Sequence, residues 1–156
     1  FPLWTLDCGE EVWMDNLDWG ATDRIDTIGC TGTSDSTGPE IAYGFWHDAR
    51  EKVYMGLEDF TGNLDLYLLD SDGDICETSS CLATSTRDAG IDEDIDVNLD
   101  AGYYYVLIDG RADTVSDFYL WTYCTAIEIC DNAVDDDEDS LIDCADPECV
   151  GTPTCP

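Results

Sequence analysis

From residue 41 onward, apolar and polar side chains alternate along much of the chain. Val53, Met55 and Leu57 are separated by polar or small neighbours, and so are Ile95, Val97 and Leu99. A two-residue period places one set of side chains on a buried face and leaves the other face wet. The pattern predicts strands at Ile41–His47, Lys52–Leu57, Asn63–Leu69, Asp92–Leu99, Tyr103–Ile108 and Asp117–Tyr123. Each is rich in β-branched or aromatic residues and bounded by Gly, Asp or Ser turn signals. Tyr103–Ile108 is apolar throughout, which predicts a central strand covered on both faces. Residues 9–40 are rich in Gly, Asp, Thr and Ser, with short strand-like pieces at Val12–Met14 and Arg24–Ile28. No segment sustains a helical period. Many short antiparallel strands imply an all-β fold, an antiparallel β-sandwich of jelly-roll type over residues 8–124.

The first residues, F-P-L-W-T-L, are apolar. They read either as an ordinary first strand or as a strand donated to a neighbouring subunit, with Phe1, Leu3, Trp4 and Leu6 as its anchors. Head-to-tail donation of that kind need not close, and so builds a homo-oligomer or filament.

Four stretches, in order, carry a family resemblance: G-P-E-I-A-Y-G-F, N-L-D-L-Y-L-L-D, D-A-G-Y-Y-Y-V-L-I-D-G and S-D-F-Y-L-W-T-Y. Together they resemble the bacterial pre-peptidase C-terminal domain over roughly residues 8–124. The resemblance implies a small secreted β-sandwich, commonly appended to extracellular hydrolases and without catalysis of its own. Some related domains bind calcium or polymers such as collagen.

Composition then narrows the function. The chain of 156 residues has 37 acidic residues against 5 basic ones, a formal charge of -32, yet is 44% hydrophobic with five Trp, eight Tyr and four Phe. It can build a core, but its self-repulsion calls for counter-ions. Nucleic acid and anionic membranes are poor partners for such a surface. No stretch approaches the apolar length of a membrane span. Nine cysteines point to an oxidising compartment. A chain that begins at Phe1, without a charged and then apolar leader, reads as a mature secreted or surface-displayed product.

Residues 125–156 add a Cys- and Asp-rich tail. Asp135, Asp137 and Asp139 stand at alternate positions, which aims three carboxylates at one point, and hard oxygen ligands in that pattern suit calcium. In the register of a calcium loop, Leu141 supplies the carbonyl position, Asp143 the ninth and Asp146 the twelfth, with Asp131 joining from the loop entrance. The sixth position is Ser140 rather than glycine, and no helical pattern flanks the loop, which separates it from an EF-hand. The run E-I-C-D-N-A-V-D-D-D-E-D-S-L-I-D-C-A-D-P-E-C resembles a short repeat of secreted myxobacterial proteins, and is similar in spirit to thrombospondin type 3 repeats. There, calcium and disulfides stand in for a hydrophobic core. The repeat usually has glycine at the positions held here by Ala133, Glu138 and Ser140.

Asp70, Asp72 and Asp74 repeat the alternate pattern, either as a second calcium loop or as an Asp-Gly hairpin connection. Asp92, Asp94 and Asp96 read as the solvated face of a strand. Among the cysteines, Cys8 and Cys30 bracket one segment, and Cys76 and Cys81 are spaced for a local bridge. Cys130, Cys144, Cys149 and Cys155 interleave with the tail acids. Cys124, at the seam, is the candidate for the unpaired ninth. His47 is the lone histidine, in an apparent strand, and no nucleophile elbow, phosphate loop or H-E-x-x-H motif occurs. The sequence therefore predicts a non-catalytic secreted calcium-binding protein. It is either a subunit of an extracellular assembly built by strand exchange, or an accessory module that binds a polymer through exposed Trp13, Trp19 or Trp46.

Overall fold

The computed structural model describes residues 4–18, 20–25, 28, 30, 36–58, 61–71 and 81–156. Nine strands are formed among them: β1 (Trp4–Leu6), β2 (Glu11–Asp15), β3 (Glu40–His47), β4 (Glu51–Glu58), β5 (Leu64–Asp70), β6 (Cys81–Ser85), β7 (Glu93–Leu99), β8 (Gly102–Gly110) and β9 (Asp117–Ala126). They make two sheets, ordered β1-β3-β8-β5-β6 and β2-β9-β4-β7. All pairs are antiparallel except β1 with β3.

Alternation accounts for the core. Ile41, Tyr43 and Phe45 of β3, Leu64, Leu66 and Leu68 of β5, and Val106 and Ile108 of β8 face inward from the first sheet. Val53, Met55 and Leu57 of β4, Ile95 and Leu99 of β7, and Phe118 and Leu120 of β9 meet them from the second. As its pattern predicts, β8 is central. Its outward Leu107 is also fully buried, in a second cluster with Tyr67, Leu69, Ile25 and Ile28.

That cluster corrects one expectation. Among the described residues of Arg24–Ile28 no strand forms. The two isoleucines instead cap the outer face of the first sheet, which satisfies their apolar side chains without a ladder. Strand β6, with exposed Leu82 and no clean alternation, carried no sequence signal. Trp4–Leu6 lies in its own chain's sheet, in register with Tyr43 to Phe45, and Leu6 is 1% exposed in the core. This is the ordinary first strand rather than a free donor; Phe1 and Leu3 lie outside the described residues.

The disulfides differ most from the expectation drawn from spacing. The bridges are Cys8–Cys124, Cys30–Cys81, Cys130–Cys149 and Cys144–Cys155. Cys8 does not pair with Cys30, Cys81 does not pair locally with Cys76, and Cys124 is not the unpaired residue. The physical reason is sheet topology. The start of β2 lies on β9, with the Gly9 N–H donating to the Thr122 carbonyl at 3.0 Å and the Thr122 hydroxyl to the Asp7 carbonyl at 2.6 Å. Residues 116 apart in sequence are thereby brought together. Cys76 lies outside the described residues, and the four bridges leave it no cysteine partner within the chain.

Alkylation of the unreduced, denatured protein should therefore label one cysteine per chain, at position 76, as read by peptide mass mapping. Replacing Cys8 and Cys124 by serine should cost about 4–5 kcal/mol in denaturant unfolding, since the closed loop is long. A second labelled site, or a loss under about 1 kcal/mol, would contradict this pairing.

Candidate metal centre and aromatic face

Beyond β9 the chain turns into the tail through Ile127, which is buried. Glu128 follows and organises the loop. Its carboxylate is 3% exposed; Oε2 accepts the Asp136 N–H at 2.9 Å and Oε1 the Asp143 N–H at 2.6 Å. One side chain thus ties together both limbs of the acidic loop. Its position ahead of the alternate acids hid this role, because the calcium register begins at Asp135.

The loop gathers carboxylates into two groups, Asp135 with Asp137 and Asp139, and Glu128 with Asp137 and Asp146. Within each group, one oxygen per residue lies within 4.8 Å of the others. Asp137 belongs to both. Asp146, 1% exposed, accepts the Glu148 N–H at 2.6 Å on Oδ1, while its Oδ2 has no hydrogen-bond partner among the described residues. Asp135 accepts the Ser140 N–H at 3.0 Å on Oδ2 and leaves Oδ1 likewise unpartnered. A buried acceptor without a partner costs about 1–3 kcal/mol. A hard cation taking oxygen ligands at roughly 2.3–2.6 Å would remove that penalty in each group. Lost hydration, with the charges of Asp139, Asp146 and Glu148, pushes the Asp137 carboxyl above its ordinary range.

The other expected ligands lie outside these two carboxylate groups. Asp143 joins neither group: its Oδ1 accepts the N–H groups of Asn132 and Ala133, each at 3.1 Å, and so braces the turn. Asp131 is exposed and also lies in neither. Leu141 donates its N–H to Asp139 Oδ1 at 2.8 Å. Asp70 ends β5, and Asp72 and Asp74 lie outside the described residues. Ala133, Glu138 and Ser140 have φ of 57°, 62° and 77°, the left-handed conformation for which the resembling repeat uses glycine. Two disulfides hold this loop together in spite of the strain.

The outward face of the second sheet carries a row of aromatics. On β9, Tyr119, Trp121 and Tyr123 stand at alternate positions, about 7 Å apart. Trp13 of β2 stacks on Tyr119 at 4.5 Å between centroids, and Tyr54 of β4 lies 6.1 Å from Tyr123. Trp121 lies over Gly56, where any Cβ would clash with its ring, and its Nε1 donates to Glu58 at 2.7 Å. Trp13 is 66% and Tyr123 55% exposed. On the opposite sheet, exposed Trp46 lies 6.4 Å from Tyr103, which meets Tyr105 edge-on. Trp19 lies outside the described residues. His47 is buried, with Nδ1 3.7 Å from Cys8 Sγ and Nε2 3.4 Å from Glu51. On β7, Asp94 and Asp96 form the expected wet face, while Asp92 precedes the strand.

Substituting glycine for Ala133, Glu138 or Ser140 should stabilise the tail by about 0.5–1 kcal/mol each. The left-handed penalty of about 1–2 kcal/mol exceeds the entropic cost of glycine. Amide exchange of residues 128–149 reads this directly. No gain at any of the three positions would show that contacts of the native side chains offset the strain.

No family model matches the chain, and no curated protein matches it. Among solved structures, the chain is similar to the pre-peptidase C-terminal domain of a collagenase from Bacillus anthracis, with a TM-score of 0.53 and 11% identity over 76% of this chain and 92% of that one. A periplasmic inhibitor of g-type lysozyme from Aeromonas hydrophila aligns with a TM-score of 0.47 and 9% identity over 78% and 96% of the two chains. A carbohydrate-binding module of Cellvibrio mixtus lichenase 5A aligns with a TM-score of 0.39 and 14% identity over 72% and 95%. The last two are too distant to support a conclusion. The first shows the fold: this chain is a two-sheet β-sandwich like that domain.

Proposed function

We propose that this chain is a non-catalytic accessory module of the extracellular space. It binds a polymer with the second sheet and holds calcium in its tail. The aromatic row of Trp13, Tyr119, Trp121, Tyr123 and Tyr54 carries the reading. It is a face on which repeating apolar units can stack, with Trp13 and Tyr123 well exposed and Tyr54, Tyr119 and Trp121 half-buried between them. A charge of -32 disfavours anionic polymers, so the favoured ligand is an uncharged polysaccharide. Fibrillar collagen is the second reading, favoured by the fold shared with the collagenase domain. Four disulfides suit a secreted setting. Assembly through residues 1–6 is not part of the proposal, because Leu6 is already used in its own core.

Calcium would occupy two adjacent positions sharing Asp137, one closed by Asp135 and Asp139, the other by Glu128 and Asp146. At ten times its dissociation constant an ion adds only about 1.4 kcal/mol. Its effect is therefore local, fixing the tail rather than the sandwich.

The binding claim is tested by co-sedimentation with insoluble cellulose, chitin and collagen, with heparin beads as the anionic control. Truncating Trp13 and Tyr123 together to alanine should weaken retention about tenfold or more, as loss of aromatic anchors does. Retention unchanged in the double variant would refute this face as the site. For the metal, chelation should raise amide exchange across residues 128–149 and leave the strands protected, and Asp137→Asn, which removes the ligand shared by both groups, should make exchange insensitive to calcium. Identical exchange with calcium and with chelator would end the metal reading while leaving the polymer reading standing.

A further inference from the structure

Three acids lie side by side beneath the cap of the first sheet, away from the tail. Glu40 on β3 is in direct register with Asp109 on β8, which is in direct register with Asp65 on β5. Residues directly opposite on antiparallel strands have Cβ atoms about 4.5–5.5 Å apart. Their exposures are 2%, 0% and 0%. Glu40 and one oxygen of Asp65 have donors. Glu40 accepts the Thr22 hydroxyl and the Arg24 N–H, the latter at 3.1 and 3.2 Å. Asp65 Oδ2 accepts the Tyr67 hydroxyl at 3.1 Å, and the Arg111 guanidinium favours its charge.

What remains are three oxygens that no donor meets in good hydrogen-bond geometry among the described residues, both of Asp109 and Oδ1 of Asp65, with the Ser36 hydroxyl the one donor close enough to act on Asp109. Carboxylates only accept, so these neighbours cannot satisfy each other while both are ionised. One hydrogen between them converts repulsion into a charge-assisted hydrogen bond. We propose that Asp65 and Asp109 share a single proton, and that this proton latches residues 20–25 and 28 onto the outer face of the first sheet.

The other charged groups around the pair act consistently. Burial pushes Asp109 up to about 8, with Glu40, Asp65 and Asp23 adding to the rise and the nearby Ser36 hydroxyl opposing it. Burial likewise pushes Asp65 up to about 6, with the Tyr67 hydroxyl and Arg111 opposing and Glu93 of β7 adding. The two values describe one coupled titration. An unfolded Asp ionises near 3.9. The folded state thus holds the proton more tightly than the unfolded chain, and the stability it contributes is complete in acid and is lost as pH rises through about 6–8. Above this window a second negative charge appears beneath Ile25 and Ile28, which cap the face by packing on Tyr67, Leu69 and Leu107. The cap, not the inner core, should loosen first.

The test is a pH titration of the whole chain by carbon NMR of the Asp carboxyl groups, paired with amide exchange of residues 20–25 and 28 corrected for intrinsic rates. The Asp65 and Asp109 resonances should move together, well above the ordinary carboxylate range. Exchange of the cap should rise tenfold or more from about pH 6 to about pH 9. Asp109→Asn keeps the shape and supplies a permanent donor to Asp65, so it should flatten the profile. Asp65→Asn should do the same, which separates a shared proton from a local folding defect. Independent titration of both groups in the ordinary range would overturn the proposal. So would cap exchange that ignores pH and answers to calcium, which would mean that a cation replaces the proton.

Discussion

A carboxylate removed from water must find donors, a proton or a cation, and this small sandwich meets that requirement many times over. Glu40 and Glu128 are met by N–H groups, the first also by a hydroxyl. Glu93, also buried and pushed upward by burial, accepts the Ser85 hydroxyl and the Arg87 N–H. Asp109 and Asp65 have too few donors between them, and Asp146 and Asp135 each keep an orphan oxygen. The chemical character of each region follows from which of the three remedies its geometry permits.

The sandwich itself is held by different means. Inward-facing aliphatic and aromatic side chains make a dry core, and the central β8 is covered on its outer side by Ile25 and Ile28 as well. Bridges then join what the chain order keeps apart: the N-terminal arm to the last strand, and residue 30 to the edge strand β6. The tail has few apolar residues to bury. Two of the four bridges lie within it, holding a loop whose backbone takes left-handed turns at non-glycine residues. The outer face of the second sheet, free of such constraints, can display large rings, with Gly56 giving Trp121 a seat against the backbone.

Much of this was legible in the one-dimensional pattern. Strands β3, β4, β5, β7 and β9 fall where side-chain pattern and turn residues place them, and β8 where an unbroken apolar run predicts a strand covered on both faces. The alternate acids of 135–139 do converge, though it is the bends of the loop, with Glu138 left-handed between Asp137 and Asp139, that bring them together rather than extended chain. Ala133, Glu138 and Ser140, where the resembling repeat has glycine, take left-handed turns.

Contacts between distant segments were not legible. The cysteine pairing follows from β2 lying on β9, and spacing along the chain carries no record of that neighbour. The part played by Glu128, the cap formed by Ile25 and Ile28, and the row of three acids at 40, 109 and 65 all depend on strand order across a sheet. The sequence by itself determined which residues alternate, where the chain turns and how much negative charge must be accommodated. Only the tertiary structure decided which carboxylates became neighbours, because register between strands, not position along them, sets the distance between charges.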